Sequence, residues 1–165
     1  MSKTLILKPH TPEAVRISVT MQEDGSKTYV AKIGEFTHAH DFMQLVHVLT
    51  TASDKDKVCM FIDSPGGNAL ACRFLIDAMQ RTKATTITDI GQQACSCGAY
   101  AWAYGKIRRM SPLSRLMFHT SSHGAQGKTR SIKEGAEIVE TQIAFWLDQL
   151  TANGTLTEAE RVTCL

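Results

Sequence analysis

Apolar and polar positions divide the chain into strand-like and helix-like segments in alternation. Two runs rich in Val, Ile, Thr and Tyr, Ala14 to Met21 and Lys27 to Ile33, flank Asp24-Gly25, a dipeptide suited to reversing the chain, and predict a β-hairpin. After Gly34, Phe42, Leu45, Val46 and Leu49 recur at helical spacing, with Thr37 or Asp41 as N-cap, until the polar run Ser53 to Lys57 closes the segment. Val58 to Ile62 is a short unbroken apolar run, the pattern of a strand buried on both faces of a parallel sheet, and it stops at Ser64-Pro65-Gly66-Gly67. A helix over Ala69 to Met79, a strand over Thr85 to Ile90, a helix over Ser96 to Tyr104, and strands over Ile107 to Met110 and Leu116 to His119 follow.

Strands alternating with helices at this spacing predict βαβ units and an α/β fold with a largely parallel, layered sheet. Beyond His119 comes a polar, glycine-containing stretch, Thr120 to Arg130, and then a long helix. Ser131 with Glu134 has the capping-box pattern, and Ile132, Ala136, Val139, Ile143, Trp146, Leu147 and Leu150 keep the helical period until Asn153-Gly154. Phe145 and Trp146 are adjacent and point in different directions, so more than one face of this helix calls for a partner surface, such as another subunit. Thr157 with Glu160 forms a second capping-box pattern.

A chain of 165 residues, 43% of them hydrophobic, fits a single domain with a packed core. The net charge of +2, with no long run of like charges, gives no electrostatic ground for nucleic acid or an acidic membrane as partner. The apolar stretch Thr4 to Leu7 is far too short for a signal-peptide core or a membrane span, so the expected location is the cytoplasm. Five cysteines, Cys59, Cys72, Cys95, Cys97 and Cys164, are an odd number set mostly in apolar runs, which fits reduced thiols. Cys95 and Cys97 lack the CxxC spacing of redox and zinc sites, and no metal is expected.

Peptide-bond hydrolysis by a serine needs an accessible hydroxyl, a base within hydrogen-bond reach, and backbone N–H groups aimed at the developing oxyanion. Ser96 lies between a strand and a helix that opens with small residues, which puts its hydroxyl and the Cys97 N–H at a helix N-terminus; taken alone, such a serine is more often a helix cap. Gly66 and Gly67 follow an apolar strand and precede a helix, so backbone there can approach a substrate unobstructed, or simply make a tight turn; neither a Walker pattern nor GxGxxG is present. His119, at the end of Arg115-Leu116-Met117-Phe118, is placed to lean over a sheet edge. His10, His38, His40, His47 and His123 read as surface or packing residues, and His38-Ala39-His40-Asp41 as a poor metal site, its histidines facing different sides of a helix.

Three blocks, Phe61-Ile62-Asp63-Ser64-Pro65-Gly66-Gly67, Ser96-Cys97-Gly98-Ala99 and Ser114-Arg115-Leu116-Met117-Phe118-His119, resemble in order and approximate spacing those of the Clp protease proteolytic subunit family. From about Tyr29 to Gly154 the order of elements agrees, and the stretch 120–154 resembles the handle by which that family joins two rings face to face. The resemblance implies a crotonase-like spiral of ββα units with a protruding handle helix, Ser96 as nucleophile and His119 as general base. It also implies Gly67 and Cys97 as oxyanion donors through their backbone N–H groups, supported by Gly66. It further implies a serine endopeptidase acting on unfolded polypeptides inside homo-oligomeric rings, with no cofactor of its own. ATP would enter only through a separate AAA+ unfoldase.

The chain departs from the family at Asp63 (asparagine in the family) and Cys97 (methionine), and its stretch between nucleophile and base is about two residues shorter. The family's third triad residue, an aspartate, falls by motif register just past Leu165, as if the C-terminal end were truncated; Asp148, on the handle helix, is poorly placed to orient an imidazole. The gap keeps open a catalytically impaired ring subunit or assembly scaffold, and the unusual N-terminal half keeps open a virus-type capsid-processing relative. An acyl-CoA enzyme of the wider crotonase fold would hold a thioester enolate with the same N–H pair, but shows no adenine or phosphate contacts. A serine–lysine dyad would need Lys106, which lies too far along the following helix.

Overall fold

The computed structural model describes residues 3–7, 15–119 and 129–164. They group into two compact units, Met1–Met117 and Phe118–Leu165. The first is an α/β unit built on a seven-stranded sheet ordered β1-β2-β3-β4-β5-β6, with β7 also paired to β5. The strands are β1 (Lys3–Leu7), β2 (Ile17–Met21), β3 (Lys27–Ile33), β4 (Lys57–Ser64), β5 (Thr85–Cys95), β6 (Ile107–Met110) and β7 (Arg115–Met117). The three N-terminal strands are antiparallel and the rest run parallel. The hairpin forms as expected, Met21 facing Lys27 and the Asp24 carboxylate accepting from the Ser26 N–H and hydroxyl at 3.0 and 2.7 Å. Strand β1, which hydropathy alone did not reveal, adds an edge to β2.

Helices α1 (Met43–Thr51), α2 (Ala69–Arg81) and α3 (Cys97–Ala103) pack in series over one face of this sheet. They bury Leu45, Val48 and Leu49 from α1 and Ala71, Cys72, Leu75, Ile76 and Met79 from α2 against Val58, Met60 and Ile62. Thr88, buried on the same side, donates to the Trp102 carbonyl of α3 at 2.8 Å. The expectation that Val58 to Ile62 is buried on both faces is corrected. Alternate residues of β4 are open, with Phe61 about half exposed, because all three helices of this unit lie on one side. Its run is continuous because Cys59 and Phe61 remain apolar on the open side, in register with Ile87 and Asp89.

α1 is preceded by a 3-10 turn over Ala39–Phe42. Neither expected cap, Thr37 or Asp41, holds an N-cap position: the turn opens at His38, and Asp41, buried within it, accepts from the Thr37 hydroxyl at 2.5 Å and the His38 N–H at 3.1 Å. The rings of His38 and His40 lie 5.1 Å apart, so they do not face different sides of a helix: His38 is the extended residue that precedes the 3-10 turn and lies outside it.

In the second unit α4 (Thr129–Ala152) is followed by α5 (Glu158–Cys164). Ser131 does not cap α4, because the helix is already running at Thr129; Glu134 instead pairs with Arg130 at 2.8 Å. The residues between His119 and Thr129, which include most of the expected polar stretch, lie outside the described residues. Ile143, Trp146, Leu147 and Leu150 are buried, while Phe145 is about half exposed in the single chain. Gly154 closes α4 at φ 74°, and Thr157 and Glu160 exchange the expected capping-box bonds at 2.8 and 3.2 Å.

The Asp56 carboxylate ties the start of β3 to the loop before β4, accepting from the Lys27 N–H at 2.7 Å and from the Ser53 N–H and hydroxyl at 2.8 and 2.9 Å. Burial would push this carboxyl up, but those hydrogen bonds outweigh it and hold it below the ordinary range. A folded value below the unfolded one contributes stability above the unfolded pKa that is lost as pH falls through the folded one. Asp56→Ala is therefore expected to lower unfolding free energy in urea by about 2 kcal/mol at neutral pH, with the gap closing below about pH 4.

Candidate active site

The candidate site lies where the C-terminal ends of β4 and β5 meet α2 and α3. Between Ile62/Ile90 and Ser64/Ala94 the β4–β5 register shifts, so β5 carries two more residues than β4 over this span. Such a bulge bends a strand and re-aims its end. Beyond it β5 pairs with β7 from Gln93 to Cys95 and delivers Ser96 at the junction with α3, where the Ser96 N–H donates to the Met117 carbonyl at 2.8 Å.

Ser96 sits at φ 54°, ψ −122°, and among the described residues no other non-glycine residue has a positive φ. A side-chain-bearing residue in such a region costs about 1–3 kcal/mol, which the surrounding structure must over-determine. The strain accompanies a sharp strand-to-helix turn of the kind that lifts a nucleophilic hydroxyl clear of its backbone. Ser96 holds the N-cap position of α3, its carbonyl accepting from the Ala99 and Tyr100 N–H groups at 2.9 and 3.1 Å, but its side chain makes no capping hydrogen bond.

The glycine turn is brought directly against this serine. Gly66, at φ 110°, packs so closely that a Cβ there would lie 2.5 Å from the Ser96 Cβ and 3.1 Å from its Oγ. Gly67, at φ 129°, lies against the Phe36 backbone, where any Cβ would overlap the Phe36 carbonyl. Phe36 clamps the turn as a short parallel bridge, its N–H donating to the Gly66 carbonyl at 2.8 Å and its carbonyl accepting from the Asn68 N–H at 2.6 Å. Because successive peptide groups in extended backbone alternate in direction, the N–H and C=O of Gly67 face away from Phe36. That carbonyl accepts from the Cys97 Sγ at 3.2 Å. The Ser64 hydroxyl, buried beneath the turn, accepts from the Gly66 N–H at 3.1 Å, and Asn68 caps α2 through bonds to Leu70 and Ala71.

Cys97 is the first residue of α3, where backbone N–H groups lack intrahelical acceptors. Its thiol is drawn below the ordinary cysteine range, chiefly by the hydrogen-bonded Cys72 thiol, against the effect of burial and with help from the Ser96 hydroxyl. Cys72, on α2, is fully buried, and burial followed by Cys97 pushes its own thiol well up. Sequence reading missed Cys72, Phe36 and the supporting role of Ser64, since nothing along the chain marks residues that meet only through the crossing of β4, α2 and α3.

His119 does not end a strand. β7 stops at Met117 because its pairing with β5 ends at Cys95, and His119 follows two residues later at the start of the second unit. Asp148, in that unit, is bonded to Arg161 at 2.7 Å. Of the residues singled out in the sequence, the structure thus gathers Ser96, Gly66, Gly67 and Cys97 in the first unit. Among the described residues no group of three His, Cys, Asp or Glu side chains could hold a metal ion, and no helix is long and apolar enough to cross a membrane. A family model described as Clp protease matches residues 14–164.

The contact between Gly66 and Ser96 predicts a sharp contrast between two glycine substitutions. Gly66→Ala should destabilise the protein by about 3 kcal/mol, combining strain at positive φ with overpacking. Gly154→Ala, also at positive φ but with open space around it, should cost only about 1 kcal/mol. Urea unfolding of both variants measures the difference.

Proposed function

The chain belongs to the Clp protease family, and on that premise we propose that it is a serine endopeptidase with Ser96 as nucleophile and His119 as general base. The observation that carries this reading is the strained Ser96 held against Gly66, beside a Gly67 N–H turned away from the Phe36 bridge. In the proposed reaction the Ser96 Oγ attacks the scissile carbonyl carbon while His119 takes the hydroxyl proton. The N–H groups of Gly67 and Cys97 hold the tetrahedral oxyanion, each such donor typically lowering the barrier by about 3 kcal/mol. His119 then returns the proton to the leaving amine, and water repeats the sequence on the acyl-enzyme. His119 enters this reading on the block Ser114 to His119, which resembles the family's histidine block.

The substrates proposed are unfolded polypeptides, admitted to a chamber formed by homo-oligomeric rings in the cytoplasm and delivered by an AAA+ unfoldase that alone uses ATP. The crotonase-like spiral, with the stretch 120–154 as the ring-joining handle, belongs to the same reading. The chemistry requires neither metal nor organic cofactor.

A second reading, a non-catalytic ring subunit of the same fold, draws on Asp148: its carboxylate is engaged by Arg161 rather than set to orient an imidazole. A serine-directed fluorophosphonate separates the two. One adduct, located on Ser96, is expected, with labelling abolished in Ser96→Ala and slowed about 10³-fold in His119→Ala. Absence of any adduct on the assembled protein favours the non-catalytic subunit. Peptide hydrolysis should also persist undiminished after exhaustive chelation, as measured with a fluorogenic peptide, and its loss would overturn the metal-free mechanism.

A further inference from the structure

Cys72 of α2 and Cys97 of α3 meet beside the candidate nucleophile: the Cys72 Sγ lies 3.3 Å from the Cys97 carbonyl oxygen and donates to it. Cys97 in turn donates to the Gly67 carbonyl at 3.2 Å, so a single sulfur spans the segments that carry both proposed oxyanion donors. Cys72 is wholly buried on α2, whereas Cys97 keeps 4% of its surface exposed.

We propose that Cys97 and Cys72 form a peroxide-sensitive dithiol whose oxidation to a disulfide switches off the site around Ser96. The consequence for activity rests on the peptidase reading; formation of the disulfide does not. In the first step the Cys97 thiolate attacks the O–O bond of a hydroperoxide, giving the Cys97 sulfenic acid and releasing the alcohol, or water from hydrogen peroxide. In the second the Cys72 sulfur attacks the sulfenic sulfur, forming the S–S bond and releasing water. Two electrons and two protons leave the thiols, and the peroxide takes up both. The roles follow from burial: both residues are buried, but Cys97 retains a trace of exposed surface next to Ser96 and Cys72 retains none. The lowered Cys97 and raised Cys72 thiols agree with attack at Cys97.

The disulfide acts through a hydrogen bond. An oxidised Cys97 sulfur has no hydrogen to donate, so its link to the Gly67 carbonyl is lost, and the sulfur is drawn toward α2 and away from the glycine turn. The Gly67 and Cys97 N–H groups then lose their common tether, and a misplaced oxyanion donor costs about 10²–10³-fold in rate.

The test treats the full chain with hydrogen peroxide, maps its peptides without reduction, and follows fluorophosphonate labelling and peptide hydrolysis. A Cys72–Cys97 cross-linked peptide is expected, with both rates falling by about 10²-fold and recovering on addition of dithiothreitol. Cys72→Ala should keep its untreated rates within about twofold and lose the reversible inhibition. A peptide map without the Cys72–Cys97 cross-link overturns the proposal, as does reversible inhibition of equal size in Cys72→Ala. A wild-type chain that forms the cross-link but is unlabelled before treatment upholds the dithiol and fails the peptidase reading alone, and the map needs no variant to fold.

Discussion

Everything in the first unit is arranged around one close approach of backbone to side chain, that of Gly66 to Ser96. Two strand ends meet there, and only a residue without a Cβ lets them come so near. The Phe36 bridge and the Ser64 hydroxyl hold the turn from one side, while the Met117 carbonyl and the bulged end of β5 hold the serine from the other. Four restraints from four different segments balance a conformation that the serine would not adopt by itself. Such over-determination is what a site needs if its reacting groups are to stay in place without substrate present.

Much of this was legible along the chain, and for physical reasons. Buried faces leave a period in the sequence, so the hairpin, α1 and α2 emerge close to their predicted limits. Residue types bound to one job, such as glycine at positive φ or a threonine–glutamate pair at a helix start, also announce themselves locally; Gly66, Gly67, Gly154, Thr157 and Glu160 all did. What escaped was the product of tertiary neighbours. Val58 to Ile62 reads as doubly buried because its open-side residues are apolar too, and hydropathy does not say on which side helices lie. The positive φ of Ser96 has no counterpart in residue type, since serine is not chosen for that region. Cys72 is separated from Cys97 by 25 residues and joins it only because α2 and α3 pack together.

The Cys97 sulfur illustrates how one substitution can carry two consequences. A residue at the start of α3 that acts only through its N–H can be almost anything small enough to pack. A thiol in that place adds a donor, which here reaches the Gly67 carbonyl, while Cys72 donates to the Cys97 carbonyl from behind. In the proposed dithiol, structural support and chemical vulnerability reside in the same atom.

Strand β5 uses one edge twice: Ile87 to Ile90 pair with β6, and Gln93 to Cys95 pair with β7. The turn between those partners is fastened at its base, where the Ser114 hydroxyl donates to the carbonyls of Ile90 and Gly91, while Leu113 at its tip is almost wholly exposed. Each ladder is therefore registered independently of the other. Residues could be inserted into or deleted from Ser111 to Leu113 across an evolutionary lineage without displacing either Ser96 or Met117. The spacing between the serine and histidine blocks is the quantity this architecture leaves free to drift.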